Sequence, residues 1–153
     1  MSFIQKNLMN GENLIYRARL HWIVFLLPIV FFIMALPFFT AGGKTAIVGE
    51  IIILFSILTG IASFINYSTS EFGITNKRVI AKIGFIRTSS VEVLLTKVEG
   101  IQVNQGFMGR ILGYGSLVVS GTGGTKDPFH KISNPLEFRR KAQEQIAVVQ
   151  ESK

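Results

Sequence analysis

Residues 22–39 read WIVFLLPIVFFIMALPFF and contain no charged residue and no Ser, Thr, Asn or Gln. A helix that crosses the hydrocarbon core of a bilayer needs about 20 apolar residues, with a lower limit near 17. A helix on the surface of a small soluble domain would carry polar residues on one face. Pro28 and Pro37 are compatible with a membrane helix, which tolerates proline. The segment therefore predicts a first membrane span.

A second apolar segment follows at residues 46–65, AIVGEIIILFSILTGIASFI. Residues 40–45, TAGGKT, separate the two segments and contain the turn-forming pair Gly42-Gly43. So short a connection forces two helices to run antiparallel. Residues 22–65 therefore predict a transmembrane helical hairpin with spans at 22–39 and 46–65.

Glu50 is the one charged residue of the second segment. It has two interpretations: an intramembrane polar contact or coupling residue, or a carboxylate near the interface at a helix N-terminus whose dipole favours it. Small residues of the same segment predict close helix packing and self-association into a homo-oligomer. They are Gly49, Ser56, Gly60, Ala62 and Ser63.

Charge sets the expected orientation and partner. The chain of 153 residues has 16 Lys and Arg against 9 Asp and Glu, a net charge of +7. Lysine and arginine flank the two spans on their outer ends, whereas the connecting loop has only Lys44, so both termini are predicted in the cytoplasm. Most of the phenylalanines lie in the spans, so the basic part lacks the aromatic platform expected of a nucleic-acid-binding sheet. We therefore expect an anionic bilayer, not nucleic acid, as the partner.

Residues 70–149 predict a cytoplasmic domain of short antiparallel strands, and residues 1–21 a separate cytoplasmic segment. Apolar residues alternate with polar ones between glycines, which is the pattern of half-buried strands. The predicted strands are 79–83, 85–95, 101–104, 117–119 and 129–132. A C-terminal helix follows, with Asn134 as cap, Pro135 in the first turn and Glu137 completing a capping box. The fold class is α+β.

Several short stretches, taken in order, resemble the bacterial pleckstrin-homology-like family of small membrane proteins. They are ITNKRVI at 74–80, VLLTKV at 93–98, IQVNQ at 101–105, GRILGYG at 109–115, GTGG at 121–124, Asn134-Pro135, and the opening Gly11-Glu12, Tyr16 and His21-Trp22. The resemblance implies a pleckstrin-homology-like (PH-like) domain tethered to a membrane. It implies a binding or assembly module, with no enzymatic activity and no defined ligand to carry over.

Two groups of residues are candidate contact sites. The first is basic and is predicted to lie on lipid headgroups, although a solvated face would look the same: Lys77, Arg78, Lys82, Arg87, Lys97 and Arg110. The second is apolar and is predicted to contact a membrane or partner, although packing in the core would also explain it: Phe107, Met108, Ile111 and Leu112.

The sequence predicts no catalytic, metal or cofactor site. Cysteine is absent, which excludes thiolate ligands and a cysteine nucleophile. His21, beside Trp22, is predicted to be an interfacial anchor. We therefore expect a non-enzymatic module at the inner membrane that engages lipid headgroups, protein partners or itself. The alternatives are an accessory subunit of a transporter or envelope complex, and a small oligomeric channel lined by Glu50, Ser56, Thr59 and Ser63.

Overall fold

The structure is a computed structural model that describes residues 3–84, 89–122 and 126–151. Contacts divide the chain into two units: Met1–His21 together with Thr69–Lys153, and Trp22–Ser68. The elements in chain order are α1 (Phe3–Lys6), β1 (Leu14–Arg19), a 3₁₀ turn (Trp22–Phe25), α2 (Leu26–Ala41), α3 (Thr45–Thr69), β2 (Glu71–Thr75), β3 (Arg78–Ile83), β4 (Ser89–Leu94), a second 3₁₀ turn (Leu95–Lys97), β5 (Val98–Asn104), α4 (Phe107–Leu112), β6 (Tyr114–Gly121), β7 (Lys126–Ser133) and α5 (Pro135–Glu151).

The first unit, called the β domain below, contains two antiparallel sheets with strand orders β1-β2-β3-β4 and β5-β6-β7. Phe72 of the first sheet meets Phe129 of the second edge to face, with ring centroids 5.7 Å apart. Phe138 and Ala142 of α5 are fully buried, and the Phe138 ring lies 6.1 Å from that of Tyr16. The predicted α+β class, with strands followed by a C-terminal helix, is confirmed.

Strand β1 was not predicted. It pairs antiparallel with β2, with Arg19 opposite Glu71 and Ala18 opposite Phe72. Residues 1–21 are thus part of the β domain and do not form a separate segment. The strand lies at the edge of its sheet, and only Ala18 within it is buried. Residues 16–20 do alternate apolar and polar side chains, but the partner strand, β2, lies beyond residues 22–68, so this short pattern by itself did not place β1 in a sheet.

Strand β6 is longer than the predicted 117–119, because two glycines that suggested strand ends lie inside it. A Cβ atom on Gly115 would stand 2.9 Å from the carbonyl oxygen of Asn104. The glycine therefore marks a close approach of two backbones. At the start of α5, Asn134 has a positive φ of 49°, and its carbonyl accepts the amides of Glu137 and Phe138.

The second unit, called the hairpin below, confirms the two predicted apolar helices. Gly42 and Gly43 both have positive φ and make the connection between α2 and α3. Two segments are long and apolar enough to cross a membrane: Trp22–Thr40, which combines the 3₁₀ turn with α2, and Thr45–Thr69, which is α3. Helix α3 continues to Thr69, beyond the predicted end at residue 65.

The small residues of α3 pack against the first helical segment of the same hairpin. Ser56 Oγ donates to the carbonyl of Pro28 at 2.8 Å, and Ser63 Oγ donates to that of Val24 at 3.0 Å. Pro28 has no N–H to offer the Val24 carbonyl one turn earlier, so the Ser63 hydroxyl takes that place. A Cβ on Gly49 would lie 3.0 Å from Phe38 Cβ.

This packing engages three of the five small residues within one hairpin, and self-association stays a prediction. Gly49, Ser56 and Ser63 contact the first helical segment of the same hairpin. Ala62 is the exposed member of the set. Thr59 Oγ1 bonds to carbonyls of its own helix. The predicted lining of a small channel is therefore largely satisfied inside the chain. Glu50 is exposed on α3.

Candidate functional site

The predicted interaction segment forms a short helix, α4, between β5 and β6. It ends at Gly113, which has the left-handed conformation of a helix C-cap and donates its N–H to the Gly109 carbonyl at 2.9 Å. Gly113 in turn accepts the amide of Asn134 at 2.9 Å. The end of α4 is thereby joined to the residue that precedes α5.

The inner side of α4 lies directly against the start of β6. Gly109 is buried, and a Cβ there would stand 2.5 Å from the carbonyl oxygen of Tyr114. Gln105 Nε2 donates to the same carbonyl at 3.0 Å. No larger residue fits at position 109 without moving the backbone, so glycine lets α4 lie flat on the domain.

The outer side of α4 exposes three large apolar side chains. Phe107 is 78% exposed, Met108 56% and Ile111 64%. Core packing, the alternative explanation of this segment, is wrong for these three residues. Leu112 is half-buried and belongs only in part to the exposed face. Phe107, Met108 and Ile111 are called the α4 face below.

His21 contacts two parts of this site, the ring of Tyr114 and the backbone of Leu112. Its ring centroid lies 5.3 Å from that of Tyr114, and its main-chain N–H donates to the Lys131 carbonyl at 2.7 Å. Burial lowers the pKa of His21, whereas a hydrogen bond to the Leu112 backbone raises it, and the net shift is downward. The interpretation of His21 as an interfacial anchor is corrected: it is buried in the β domain and bonds to the last residue of α4.

A cavity of about 310 Å³ lies beside α4. Arg110 and Glu137 both line it, together with the exposed side chain of Leu136. The glutamate also receives a hydrogen bond from Tyr16, and burial followed by the nearby Glu137 charge raises the pKa of the tyrosine. Because the cavity is lined by one cation, Arg110, and one anion, Glu137, it favours neither anionic nor cationic ligands strongly.

Arg78, one of the predicted headgroup contacts, has a different role. Its guanidinium makes two hydrogen bonds to Glu12, from Nε at 2.9 Å and Nη2 at 3.0 Å, and a third to Glu92. The side chains of Arg78 and Glu12 are 7% and 0% exposed. Arg78 is therefore unavailable to lipid, because it neutralises a fully buried carboxylate.

Glu12 collects further donors around the same group. Thr75 Oγ1 lies 2.7 Å from Oε1, and the Met9 amide donates to Oε2 at 2.8 Å. Burial raises the pKa of Glu12, but the hydrogen bonds from Arg78, Met9 and Thr75 outweigh it and lower the pKa overall. Gly11-Glu12 and the ITNKR stretch, which carried the family resemblance, thus meet in one ionic network.

The other basic candidates are dispersed. Lys77 is exposed and donates to the Asn10 carbonyl at 2.9 Å. Lys97 and Arg110 are also exposed, whereas Lys82 is half-buried on β3. Arg87 lies outside the described residues. Of the six, Arg110 is the one whose place on α4 joins it to the α4 face.

No group of three or more His, Asp or Glu that could hold a metal ion occurs within residues 3–84, 89–122 and 126–151. His130, on β7, has its Nδ1 2.9 Å from the hydroxyl of Ser116.

Comparison with protein families gives one match: the family described as Bacterial PH domain aligns with residues 23–146. The matched region includes the hairpin and the β domain from β2 through most of α5. Searches of curated proteins and of solved structures give no match.

Proposed function

The chain belongs to the bacterial PH domain family, and on that premise we propose that it is a membrane-anchored binding or assembly module without enzymatic activity. In this proposal the hairpin spans the cytoplasmic membrane and holds the β domain at the inner leaflet. The β domain then engages lipid headgroups, a protein partner or a second copy of itself through its exposed surface.

The observation that carries the proposal is the exposure of the hairpin. Only 11% of the residues in each apolar window are buried. Large side chains such as Leu27, Ile33, Ile51 and Phe64 are each more than half exposed. Water-soluble proteins rarely leave so large an apolar surface uncovered, whereas lipid chains cover it at no cost.

Internal hydrogen bonding supports the same proposal. A polar group in the hydrocarbon core has no water to bond with. In the hairpin, the hydroxyls of Ser56, Thr59 and Ser63 all bond to main-chain carbonyls. These three hydroxyls are therefore already satisfied within the hairpin.

The test of anchoring uses the absence of cysteine, which makes every single-cysteine variant selective. Lys44→Cys lies in the hairpin loop and Glu151→Cys at the end of α5. We expect an impermeant maleimide to label position 44 in intact cells and position 151 only after lysis. Labelling of both or neither in intact cells would contradict the proposed topology.

The accessory-subunit alternative is separated by the mass and composition of the complex after gentle extraction. A homogeneous multiple of 17.0 kDa containing only this chain supports self-assembly. A particle dominated by a larger protein would make the chain an accessory subunit. The channel alternative needs polar side chains free to face a pore, and the hairpin offers only Glu50 of the four proposed.

A further inference from the structure

We propose that the α4 face inserts into the surface of the same bilayer that the hairpin spans, with Phe107, Met108 and Ile111 at the boundary between headgroups and acyl chains. This inference rests on the proposed function, because it requires the hairpin to cross that bilayer. It names the contact that the proposed function leaves open, and it assigns that contact to lipid.

The first support is the shape of the face. Positions 107, 108 and 111 fall on one side of a helix, and the buried Gly109 lies on the other. Interfacial helices bury such an apolar side to a depth of about 5–10 Å, at the boundary of the headgroups. Because α4 is short and fixed at both ends, the three side chains are presented without an ordering step.

The second support is the position of α4 within the β domain. His21 bonds to the backbone of Leu112, and His21 is the last residue before Trp22 begins the apolar segment. The preceding residue, Leu20, forms an isolated antiparallel β-bridge with Ile132. The β domain therefore holds the chain next to α4 up to His21, the residue that precedes the apolar segment.

Charge and area favour lipid over a protein. Arg110, on α4 itself, is exposed. A cation beside an apolar face complements anionic lipid. The face consists of only three exposed apolar side chains, whereas a stable protein interface buries about 800 Å² on each partner.

The experiment measures tryptophan fluorescence of the full chain in nanodiscs of phosphatidylcholine and phosphatidylglycerol. The phosphatidylcholine is either unmodified or brominated on its acyl chains, which quenches tryptophan that reaches them. Trp22 is the only tryptophan, so the unmodified protein reports on the hairpin. Trp22→Phe combined with Phe107→Trp reports on the α4 face. The matched control combines Trp22→Phe with Val148→Trp. Val148 is exposed on α5 and lies about 18 Å along that helix from Leu136, which lines the cavity beside α4.

We expect brominated lipid to cause a several-fold loss of emission, with a blue shift, at position 107 and no loss at position 148. Emission at position 107 that is quenched by aqueous iodide and not by brominated lipid would overturn the inference. Shielding from both quenchers would also overturn it, in favour of a protein partner or second copy. Equal quenching at positions 107 and 148 would overturn it as well. Each of these results leaves the proposed function intact provided Trp22 is quenched; an unquenched Trp22 contradicts both.

Discussion

The hairpin and the β domain both bury polar groups, but they use different chemistry to satisfy them. In the hairpin, serine hydroxyls bond to main-chain carbonyls and no charge is enclosed. In the β domain, a guanidinium bonds to a carboxylate that has no exposed surface. On the proposed function, the difference follows from what each region meets when it unfolds: strands unfold into water, whereas a helix in a membrane remains in lipid.

This contrast predicts a ranking of mutational effects. A charge left alone in the β domain loses both its partner and its access to water. A serine removed from the hairpin costs less, because polar groups of separated helices find other partners within the membrane. The substitutions below test this ranking in order of decreasing effect on the free energy of unfolding.

Arg78→Met should destabilise the β domain by about 3–5 kcal/mol, because it leaves the Glu12 carboxylate buried without its cation. Chemical unfolding of the full chain in nanodiscs, followed by protease susceptibility of the β domain, measures the change. The matched control is Lys77→Met, the exposed neighbour, for which about 0.5 kcal/mol or less is expected. Equal stability of the two variants would show that the buried Arg78–Glu12 pair stabilises the β domain no more than an exposed lysine does.

Gly49→Leu should destabilise the hairpin by about 1–3 kcal/mol, because the new side chain meets Phe38 and Phe39 at close range and overpacks the contact. Unfolding in mixed detergent and dodecyl sulfate micelles, read by helicity, measures it. Ala62→Leu, at an exposed site on the same helix, is the control and should have little effect. If Ala62→Leu proved the more damaging, the exposed side of α3 would be an interface after all.

Ser63→Ala should cost only about 0.6 kcal/mol, the usual value of a hydrogen bond between membrane helices. The same micelle assay applies, with Thr59→Ala as control because Thr59 bonds within its own helix. A loss as large as that of Arg78→Met would break the contrast between the two regions. It would mean that the Val24 carbonyl finds no other donor.

Lowering the pH should have the smallest and most gradual effect on the free energy of unfolding, and it should destabilise the β domain more than the hairpin. The pKa of His21 is lowered in the folded state from its ordinary 6.5. As pH falls below 6.5, the unfolded chain therefore takes up a proton that the folded chain refuses, and stability declines. The lowered pKa of Glu12, ordinarily 4.5, contributes stability above pH 4.5 that is lost as pH falls through the folded-state pKa.

The β domain should follow this pH dependence, whereas the hairpin should not show the step below 6.5. His21→Gln should remove that step from the pH profile of unfolding, and His130→Gln, at an exposed site, should leave it in place. An unchanged profile in His21→Gln would mean that another group causes it.

How much the sequence predicts differs between the regions for the same physical reason. Hydropathy is a local property, so residues 22–39 and 46–65 identify the two apolar helices without knowledge of what they pack against. The charge of Arg78 is local, but its burial depends on Glu12, 66 positions away along the chain. Sequence reasoning therefore grouped it with exposed cations. Edge strand β1 was missed likewise, since its partner β2 follows the whole hairpin.

The candidate site was predicted in part. Four large apolar residues between glycines at 106–113 indicated a contact segment, and the structure exposes three of them, Phe107, Met108 and Ile111, whereas Leu112 is half-buried. The role of His21 was not predictable, because nothing near it in sequence indicates a bond to Leu112. A histidine just before an apolar segment is compatible with both an interface and a buried position.

The pairing of β1 with β2 has a consequence for biosynthesis. The two strands flank residues 22–68, so Arg19 can reach Glu71 only if the intervening chain returns to the side from which it left. A chain that inserted just one of its two apolar helices would separate the strands permanently. At about 5–20 residues per second, β1 waits several seconds for β2 to be synthesised. Under the proposed topology, closure of this sheet acts as a proofreading step for membrane insertion, and we expect chains with an odd number of crossings to stay unfolded and open to proteolysis.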